Sequence, residues 1–397
     1  MRVCYISGEY PPMEGGIGDY LAGLRTALAD LGVETSVITS RAAARARLSD
    51  ETVYPAIARW GFASWPTIER LLRQVKAEVA HIQYQSAAFD LSPAINLLPS
   101  WLRRRMSGCR VVTTFHDLRV PYIFPKAGRL RPLAVRALLR SSHAAIMTNE
   151  EDLAIASAEA GDAGPLLRLI PLASSLPPRL ADGFDRDRCR EVYGASSDDL
   201  LLCYFGLLNA RKGIDILLQA LADLRAQDAH IRLLMIGAGI GDADPTNASY
   251  RELVMAQVDG LGLAGAISWT GFLSPEDASA AFASADICVL PFLDGASYRR
   301  SSLIAALGHG LPVITTNQAS SASNHELPEL VSGHNCLLVP PGDPEALVSA
   351  INTLADSLQL RLELGSAART IAETFSWPRV AGQTVELYEK ALGKPIV

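Results

Sequence analysis

Short apolar runs alternate with longer amphipathic segments along almost the whole chain. The runs are four to seven residues long and rich in β-branched side chains, whereas intervening segments such as 17–31 and 67–77 repeat apolar positions with helical spacing. We therefore predict strands at 2–7, 34–39, 79–82, 111–115, 144–148, 167–170, 200–206, 231–236, 267–270, 286–290, 312–316 and 336–339. Strands that alternate with helices in this way form parallel sheets.

The alternation is interrupted between 177 and 198, where Pro, Asp and Arg accumulate and apolar periodicity is lost. We interpret this stretch as a linker with one short helix. The chain is then an α/β protein with two doubly wound halves of similar size that join near residue 180. Because parallel sheets bind ligands beyond the carboxyl ends of their strands, the residues that directly follow strands are the candidates for function.

Composition narrows the function classes. The 397 residues suffice for two domains, and 49% hydrophobic with 20% charged residues excludes global disorder. A net charge of −6 argues against a nucleic-acid binder. Six scattered cysteines without a CxxC pair argue against a zinc cluster or a disulfide framework and for a reducing compartment. Without a signal peptide or a membrane-length apolar stretch, we expect a cytoplasmic protein.

Two candidate sites follow strands of the first half. Gly15, Gly16 and Gly18 precede a helix, where a bare backbone and unpaired N–H groups can approach an anion; the alternative is a flexible Pro/Gly turn. His116 directly follows the strand 111–115, where its side chain can meet a substrate in a cleft. The alternative is a surface histidine that is hydrogen-bonded by Asp117.

Two adjacent cations open a helix of the second half. Arg211 and Lys212 follow the strand 200–206, although the helix dipole disfavours positive charge at a helix start. Both residues are explained if they face a phosphate that the helix start also attracts. A solvated basic turn is the alternative.

A second helix start with anion-binding features follows the strand 286–290. Ser301, Ser302 and Leu303 offer hydroxyl and N–H groups there, and Arg299 and Arg300 add positive charge. The alternative is an ordinary helix cap beside a solvated arginine pair.

Neither a dinucleotide fingerprint nor a metal site is well supported. After the strand 231–236, glycines stand at 237, 239 and 241, but Asp242 occupies the last position of the GxGxxG pattern. The DxD triplets at 242–244 and 185–187 contain possible ligands of a divalent cation, yet paired acidic residues in loops are common. We expect no metal and no cofactor.

Taken together, the segments resemble those of a family 4 glycosyltransferase. The similarity runs over the whole chain and rests on the order and spacing of PPMEGGIGDY, FHDL, GLLNARKGIDILLQAL, GAG, TGFL, ALGHGLPVITT, LLVPPGDPEAL and FSWPRVAGQTVELYEKAL. The resemblance implies the GT-B fold, with two Rossmann-like doubly wound parallel-sheet domains that face each other across a cleft. We expect an N-terminal acceptor domain over 1–178, a C-terminal donor domain over 198–375 and a helix over 376–397 that packs back on the N-terminal domain.

The resemblance also implies an activity and its residues. Such enzymes transfer a sugar from a nucleotide diphosphate sugar to an acceptor hydroxyl with retention of configuration and without a metal. The activity expected here is that of a hexosyltransferase. The implied catalytic residues are His116, Arg211 and Lys212. The implied donor-binding residues are Gly16, Gly239, Phe272, Ser301, Ser302 and Leu303. The products expected are glycans, glycolipids or small-molecule glycosides, and the resemblance leaves the acceptor open.

One departure from the family pattern leaves an alternative open. The family usually carries two glutamates eight positions apart before its GxPV segment, and this chain has Ser297 and Ala305 there. We interpret the chain as a divergent branch of the family. A non-catalytic GT-B partner of an active transferase is the alternative, and a GT-B epimerase is a third reading.

A basic segment suggests a further partner. Residues 101–143 contain ten Lys or Arg and one acidic residue, with apolar residues at helical spacing among them. Peripheral contact with an anionic membrane, at its inner face, would explain this segment, and so would a solvated basic face or a groove for anionic soluble acceptors.

Overall fold

The chain divides into two compact units. A computed structural model describes residues 1–13, 15–45, 50–118, 130–161, 164–237, 245–317 and 326–394. The first unit comprises Met1–Ala173 and Ser376–Val397, and the second comprises Ser174–Phe375. Each unit is a Rossmann-like α/β layer structure with one parallel sheet.

The first unit contains a seven-stranded sheet with the order β3-β2-β1-β4-β5-β6-β7. Its strands are β1 (Arg2–Ser7), β2 (Glu34–Ser40), β3 (Val53–Ile57), β4 (Val79–Tyr84), β5 (Arg110–Phe115), β6 (Ala144–Met147) and β7 (Leu166–Leu169). Its helices are α1 (Gly16–Asp30), α2 (Trp65–Gln74), α3 (Ala94–Arg105), α4 (Leu130–Ser141), α5 (Glu150–Ala160) and, from the C-terminus, α13 (Trp377–Leu392).

Alternating strand residues build two apolar cores on opposite faces of this sheet. Cys4 and Ile6 point to the face covered by α2 and α3, whereas Val3 and Tyr5 point to the face covered by α1 and α13. The strands are nearly continuous apolar runs because both faces are covered. A one-residue shift of register would exchange the two cores.

The strand β3 was missed by the sequence analysis. It contains Pro55, which cannot donate a hydrogen bond to a neighbouring strand and therefore weakens a strand prediction. The strand lies at the edge of the sheet, paired only with β2, where a missing N–H is tolerated. Its position explains why this proline is compatible with a strand.

The second unit contains a six-stranded sheet with the order β10-β9-β8-β11-β12-β13. Its strands are β8 (Leu200–Phe205), β9 (Ile231–Ile236), β10 (Ile267–Gly271), β11 (Ile287–Leu290), β12 (Val313–Thr316) and β13 (Leu337–Val339). Its helices are α6 (Arg186–Val192), α7 (Ile214–Gln227), α8 (Pro245–Gly260), α9 (Pro275–Ser284), α10 (Ser301–Gly308), α11 (Pro344–Ala355) and α12 (Leu358–Ala372).

The stretch that lacks periodicity in the sequence is attached to the second unit through Arg190 on α6. The guanidinium is 1% exposed and donates to the carbonyl oxygens of Ser196, Ser284 and Asp199 and to the Asp286 carboxylate. A buried charge requires such complete pairing. This arginine therefore holds α6 against the start of the second sheet.

The last helix packs on α1 in the first unit. The Gly23 backbone lies so close to the Trp377 ring that a Cβ at position 23 would stand 2.4 Å from it. Tyr388 lies farther along α13 and is fully buried, with its hydroxyl 2.8 Å from that of Tyr5 on β1. The C-terminal residues are thus part of the core beneath the first sheet.

Candidate active site

The strand order reverses once in each sheet, and several of the predicted site residues follow strands at these points. In the second sheet the reversal lies between β8 and β11, and in the first it lies between β1 and β4. Loops that leave such a pair of strands run in opposite directions and open a crevice at the carboxyl edge. The loops after β8 and β11 carry the predicted cations, and the predicted glycines lie at the end of the loop after β1 and in the first turn of α1.

The loop after β8 is shaped by two glycines. A Cβ at Gly206 would lie 2.6 Å from the Lys212 Nζ atom, so the ammonium group rests against bare backbone. Gly213 has a φ of +67°, and a Cβ there would lie 2.0 Å from the Pro291 carbonyl oxygen. The Leu293 N–H donates to the Arg211 carbonyl oxygen at 2.9 Å. These contacts join the loops after β8 and β11.

The Lys212 ammonium group has no hydrogen-bond or ion-pair partner within the described part of the chain. Burial lowers the pKa of Lys212 from its usual range to about 8, and the nearby positive charge of Arg300 contributes to this shift. An ammonium group in such a position is suited to bind an anion. Arg211 lies beside it and is exposed.

The loop after β11 brings a third cation to this edge. The Arg300 guanidinium lies 4.2 Å from the Phe292 ring centroid and pairs with the Asp294 carboxylate. It precedes α10, at whose start the N–H groups of Ser301 and Ser302 have no acceptor among the residues that the structure describes. The helix start therefore offers two donors beside Lys212 and Arg300.

Leu303 differs from the two serines. Its N–H donates to the Arg300 carbonyl oxygen at 3.0 Å, and its side chain is fully buried. Of the three residues predicted at this helix start, Ser301 and Ser302 have free N–H groups.

The strands β9 and β10 also end at this edge. Gly237 has a φ of +65°, and its N–H donates to the Thr270 hydroxyl at 3.1 Å. Gly239, with Asp242 and Asp244, lies outside the described residues. Phe272 follows β10 and is 98% exposed. A fully exposed aromatic ring is unusual in a core-forming unit and offers a flat apolar surface for stacking.

In the first unit, a carboxylate occupies the start of α1. The Glu9 side chain accepts hydrogen bonds from the N–H groups of Ile17 at 3.0 Å and Gly18 at 3.3 Å. A Cβ at Gly16 would meet nothing within 4 Å, so this glycine faces open space. The helix start thus holds an anion, as its dipole favours, but the anion here belongs to the chain itself.

His116 follows β5 and is held by a buried glutamine. Its backbone N–H donates to the Tyr84 carbonyl oxygen at 3.0 Å. The Nε2 atom of its ring lies 2.7 Å from Gln83 Oε1. The Tyr20 ring meets the imidazole edge-on, with 5.5 Å between centroids. Burial lowers the pKa of His116 to about 4, so the imidazole is neutral at pH 7.

Comparison with known families agrees with this arrangement. A model described as "Glycosyl transferase 4-like domain" matches residues 15–172, and a model described as "Glycosyl transferases group 1" matches residues 199–357. Together they cover every strand of the second sheet and, apart from β1, every strand of the first. The chain belongs to the family 4 glycosyltransferases.

Two curated relatives of this family 4 glycosyltransferase illustrate the range of similarity. MMP alpha-(1->4)-mannosyltransferase of Mycolicibacterium hassiacum is 32% identical over 189 residues, which cover 46% of this chain and 41% of that protein. The chain thus spans under half of this relative's length. D-inositol 3-phosphate glycosyltransferase of Corynebacterium efficiens is 26% identical over 424 residues, covering 98% of this chain and 96% of that protein.

Solved structures show the same fold. Sucrose-phosphate synthase from Thermosynechococcus elongatus superposes with a TM-score of 0.69 at 21% identity and covers 99% of each chain. The Anabaena protein HepE, solved in complex with UDP, gives a TM-score of 0.68 at 18% identity and covers 97% of this chain and 99% of its own. This family 4 glycosyltransferase therefore has the GT-B fold.

The two positions that lack the expected glutamates have structural roles. The Ser297 hydroxyl accepts from the Arg299 N–H at 3.3 Å, and its carbonyl oxygen accepts from the Arg300 N–H at 3.0 Å. Ala305 is fully buried in α10, and its carbonyl oxygen lies 2.8 Å from His309 Nδ1. Ser297 thus forms the turn that presents Arg300 in this glycosyltransferase.

Sequence reasoning missed two residues of the site. Gln83 lies on the buried strand β4, two positions after His81, so two polar side chains share one face of an otherwise apolar strand. That pattern is visible in the sequence and is typical of a buried polar cluster. Glu9 carried no comparable pattern, because only the folded loop brings its carboxylate to Ile17 and Gly18.

Proposed function

We propose that this protein is a retaining, metal-independent hexosyltransferase. It moves a sugar from a nucleoside diphosphate sugar to an acceptor hydroxyl, in the synthesis of a glycan, a glycolipid or a small-molecule glycoside. The observation that carries the proposal is the Lys212 ammonium group, which rests without a partner in the described structure against Gly206 at the strand reversal of the second sheet.

The cations act on the departing diphosphate. When the glycosidic bond breaks, negative charge develops on the diphosphate, and fixed positive charges and N–H groups stabilise it. Arg211 and Lys212 supply the charge, and the N–H groups of Ser301 and Ser302 supply donors. Because these groups are held in place before the reaction, little reorganisation accompanies the chemical step.

The other predicted residues bind the two ends of the donor. His116 supports the transferred sugar as a neutral imidazole, Gly16 lies open to a phosphate, and Phe272 offers a stacking surface for the base. HepE was solved in complexes with UDP and with UDP-glucose, which makes uridine nucleotides the first donors to test.

The test is turnover of nucleotide sugars by cation variants. Lys212→Met and Arg211→Met should each lower kcat by roughly 10²-fold or more, as loss of a donor to developing charge does. Arg251→Met removes an exposed cation from α8 in the same unit and should leave turnover unchanged. Near-normal kcat in both site variants would overturn the assignment of the diphosphate site.

A non-catalytic partner protein is the second candidate, since Ser297 and Ala305 replace the expected glutamates. The two candidates differ in one assay. A transferase slowly hydrolyses its nucleotide sugar without an acceptor, with release of nucleoside diphosphate. A partner protein binds without release. Product mass also separates transfer from epimerisation, which gives an isomer of unchanged mass.

Metal independence is a separate part of the proposal. Three cations at one edge take the place that Mg²⁺ has in other transfers from nucleotides. Transfer should therefore be unaffected by EDTA. Loss of transfer with EDTA and recovery with Mg²⁺ or Mn²⁺ would contradict this and point to Asp242 and Asp244.

Peripheral membrane contact is the remaining proposal. No helix among the described residues is long and apolar enough to span a bilayer. Arg103, Arg104 and Arg105 end α3, and Leu133 on the adjacent α4 is 53% exposed. Anionic liposomes should retain the protein at low salt, with neutral liposomes as the control. Equal failure to bind both would favour a basic groove for a soluble acceptor in the cytoplasm.

A further inference from the structure

A chain of buried polar side chains connects His116 to the C-terminal helix. Gln83 is fully buried, and its amide oxygen lies 2.7 Å from His116 Nε2. Its amide nitrogen lies 3.4 Å from His81 Nε2. The amide thus stands between two imidazoles, with its acceptor toward His116 and its donor toward His81.

The chain continues through the core. His81 Nδ1 lies 2.6 Å from the Tyr388 hydroxyl, which lies 2.8 Å from the Tyr5 hydroxyl. The Thr114 hydroxyl lies 2.8 Å from His81 Nε2. All these side chains are buried, and an unpaired polar group in the core is destabilising. The donors and acceptors of the network are therefore expected to stay paired with one another.

The tautomers of both histidines follow from this orientation of the Gln83 amide. An amide oxygen only accepts, so His116 must carry its proton on Nε2. An amide nitrogen only donates, so His81 Nε2 must be unprotonated and the His81 proton sits on Nδ1, where it is donated to Tyr388. Tyr388 then donates to Tyr5. The opposite rotation of the Gln83 amide would reverse these assignments.

His116 Nδ1 is left as an unprotonated acceptor. It has no hydrogen-bond partner among the residues that the structure describes. The groups that face the ring are Gln83 on β4, the Tyr20 ring on α1 and, beyond Gln83, His81; Asp117 is next in the chain. Burial raises the pKa of Tyr20, which stays neutral.

We propose that Gln83 is a positioning residue that holds His116 in the Nε2–H tautomer, so that Nδ1 can accept a hydrogen bond from a hydroxyl of the bound sugar. The His81–Tyr388–Tyr5 chain continues the hydrogen bonding from the Gln83 amide nitrogen into the core. The sugar contact rests on the role proposed above for His116, whereas the tautomer does not. A glutamine fits this task because it supplies an acceptor and a donor without a charge that would protonate the imidazole.

The first measurement is the tautomer itself, from imidazole ¹⁵N shifts of the full chain without ligand. The wild type should show His116 with Nε2 protonated, and Gln83→Met should give a mixture of tautomers. Thr113→Val is the matched control, because it removes a buried hydroxyl of β5 that pairs with Ser142 instead. It should leave the His116 tautomer unchanged. A predominant Nδ1–H form in the wild type would overturn the proposal.

The second measurement is the pH profile of nucleotide-sugar turnover in Gln83→Glu, a variant of nearly the same shape. A carboxylate beside His116 favours the imidazolium, so the pKa of His116 should rise and Nδ1 should be protonated at pH 6. Turnover should then be low at pH 6 and recover as pH rises, whereas the wild type is flat over this range. An unchanged profile, with the His116 pKa shown to have risen, would overturn the role of Nδ1.

Gln83→Met should lower kcat by roughly 10²-fold, as misplacement of a catalytic group does, with less change in KM. His116→Ala tests the role of His116 in turnover separately from the positioning role of Gln83. If His116→Ala turns over donor normally, the proposed role of His116 fails. The ¹⁵N tautomer then still decides whether Gln83 positions the ring.

Discussion

Lys212 and Glu9 show how a single residue sets the charge near a helix start in each unit. Lys212 rests on Gly206 without a carboxylate partner in the described structure, and burial lowers its pKa. Glu9 does the opposite in the first unit, where its carboxylate accepts from two N–H groups of α1. A phosphate at Gly16 would compete with this carboxylate. The start of α1 therefore already holds the Glu9 carboxylate, whereas Lys212, just before α7, has no carboxylate partner in the described structure.

The pKa of Lys212 predicts a pH dependence of donor binding. With a pKa of about 8, the side chain is charged at pH 7 and increasingly neutral above pH 8. The affinity for UDP, measured by calorimetry at constant ionic strength, should therefore fall as pH rises from 7 to 9.5. Lys212→Arg should remove this dependence, because a guanidinium stays charged. The same decline in Lys212→Arg would show that another group titrates.

The competition at α1 predicts an unusual effect of Glu9→Ala. The variant should lose about 1 kcal/mol of unfolding free energy, the typical contribution of a helix cap. Its affinity for UDP should nevertheless rise, because the N–H groups of Ile17 and Gly18 become available. Urea unfolding and calorimetry measure the two effects. Weaker UDP binding in Glu9→Ala would mean that Glu9 shapes the site and does not compete for it.

At the scale of elements, the site of the second unit depends on a close fit between the loops after β8 and β11. Gly213 lies against the Pro291 carbonyl oxygen, and the Arg211 carbonyl oxygen accepts from the Leu293 N–H. Side chains on these loops are thereby placed by backbone contacts. Small losses of fit should move the cations before they unfold the sheet.

Gly213→Ala tests this fit. The added Cβ would lie 2.0 Å from the Pro291 oxygen at a φ of +67°, so the loops must separate. We expect a loss of more than about 2 kcal/mol in unfolding free energy, which combines strain and steric overlap. Trp269, the only tryptophan of the second unit, reports its unfolding. Gly260→Ala is the control, because a Cβ there meets nothing within 4 Å, and it should be neutral or stabilising.

At the scale of the whole molecule, three histidines with lowered pKa values make the first unit sensitive to acid. The pKa values of His81, His116 and His143 are lowered by burial to about 3, 4 and 4. Below pH 6.5 the unfolded chain binds protons that the folded chain does not. Unfolding free energy is therefore complete above about pH 6.5 and is lost as pH falls toward 4.

His143→Gln should flatten this decline. His143 Nδ1 accepts from the Val111 N–H at 3.0 Å, a bond that an imidazolium cannot accept. A glutamine oxygen can accept the same bond at any pH. Urea unfolding between pH 7 and 4.5 should show a smaller slope in His143→Gln, and the exposed His334→Gln should behave as the wild type. Equal slopes in all three proteins would exclude His143 as a source of acid sensitivity.

By itself, the sequence determined the parallel α/β architecture and the loops that carry the site. Apolar runs located every strand except β3, because the periods of strands and helices are visible in residues that are close together in the sequence. The edge strand β3 was not recognised because it contains Pro55. The positions of Arg211, Lys212 and Ser301 after strands followed from the same pattern. Tertiary structure alone decided the contacts between distant residues. Gln83 meets His116 across 33 positions, and His81 meets Tyr388 across 307, because sheet pairing and the return of α13 bring them together.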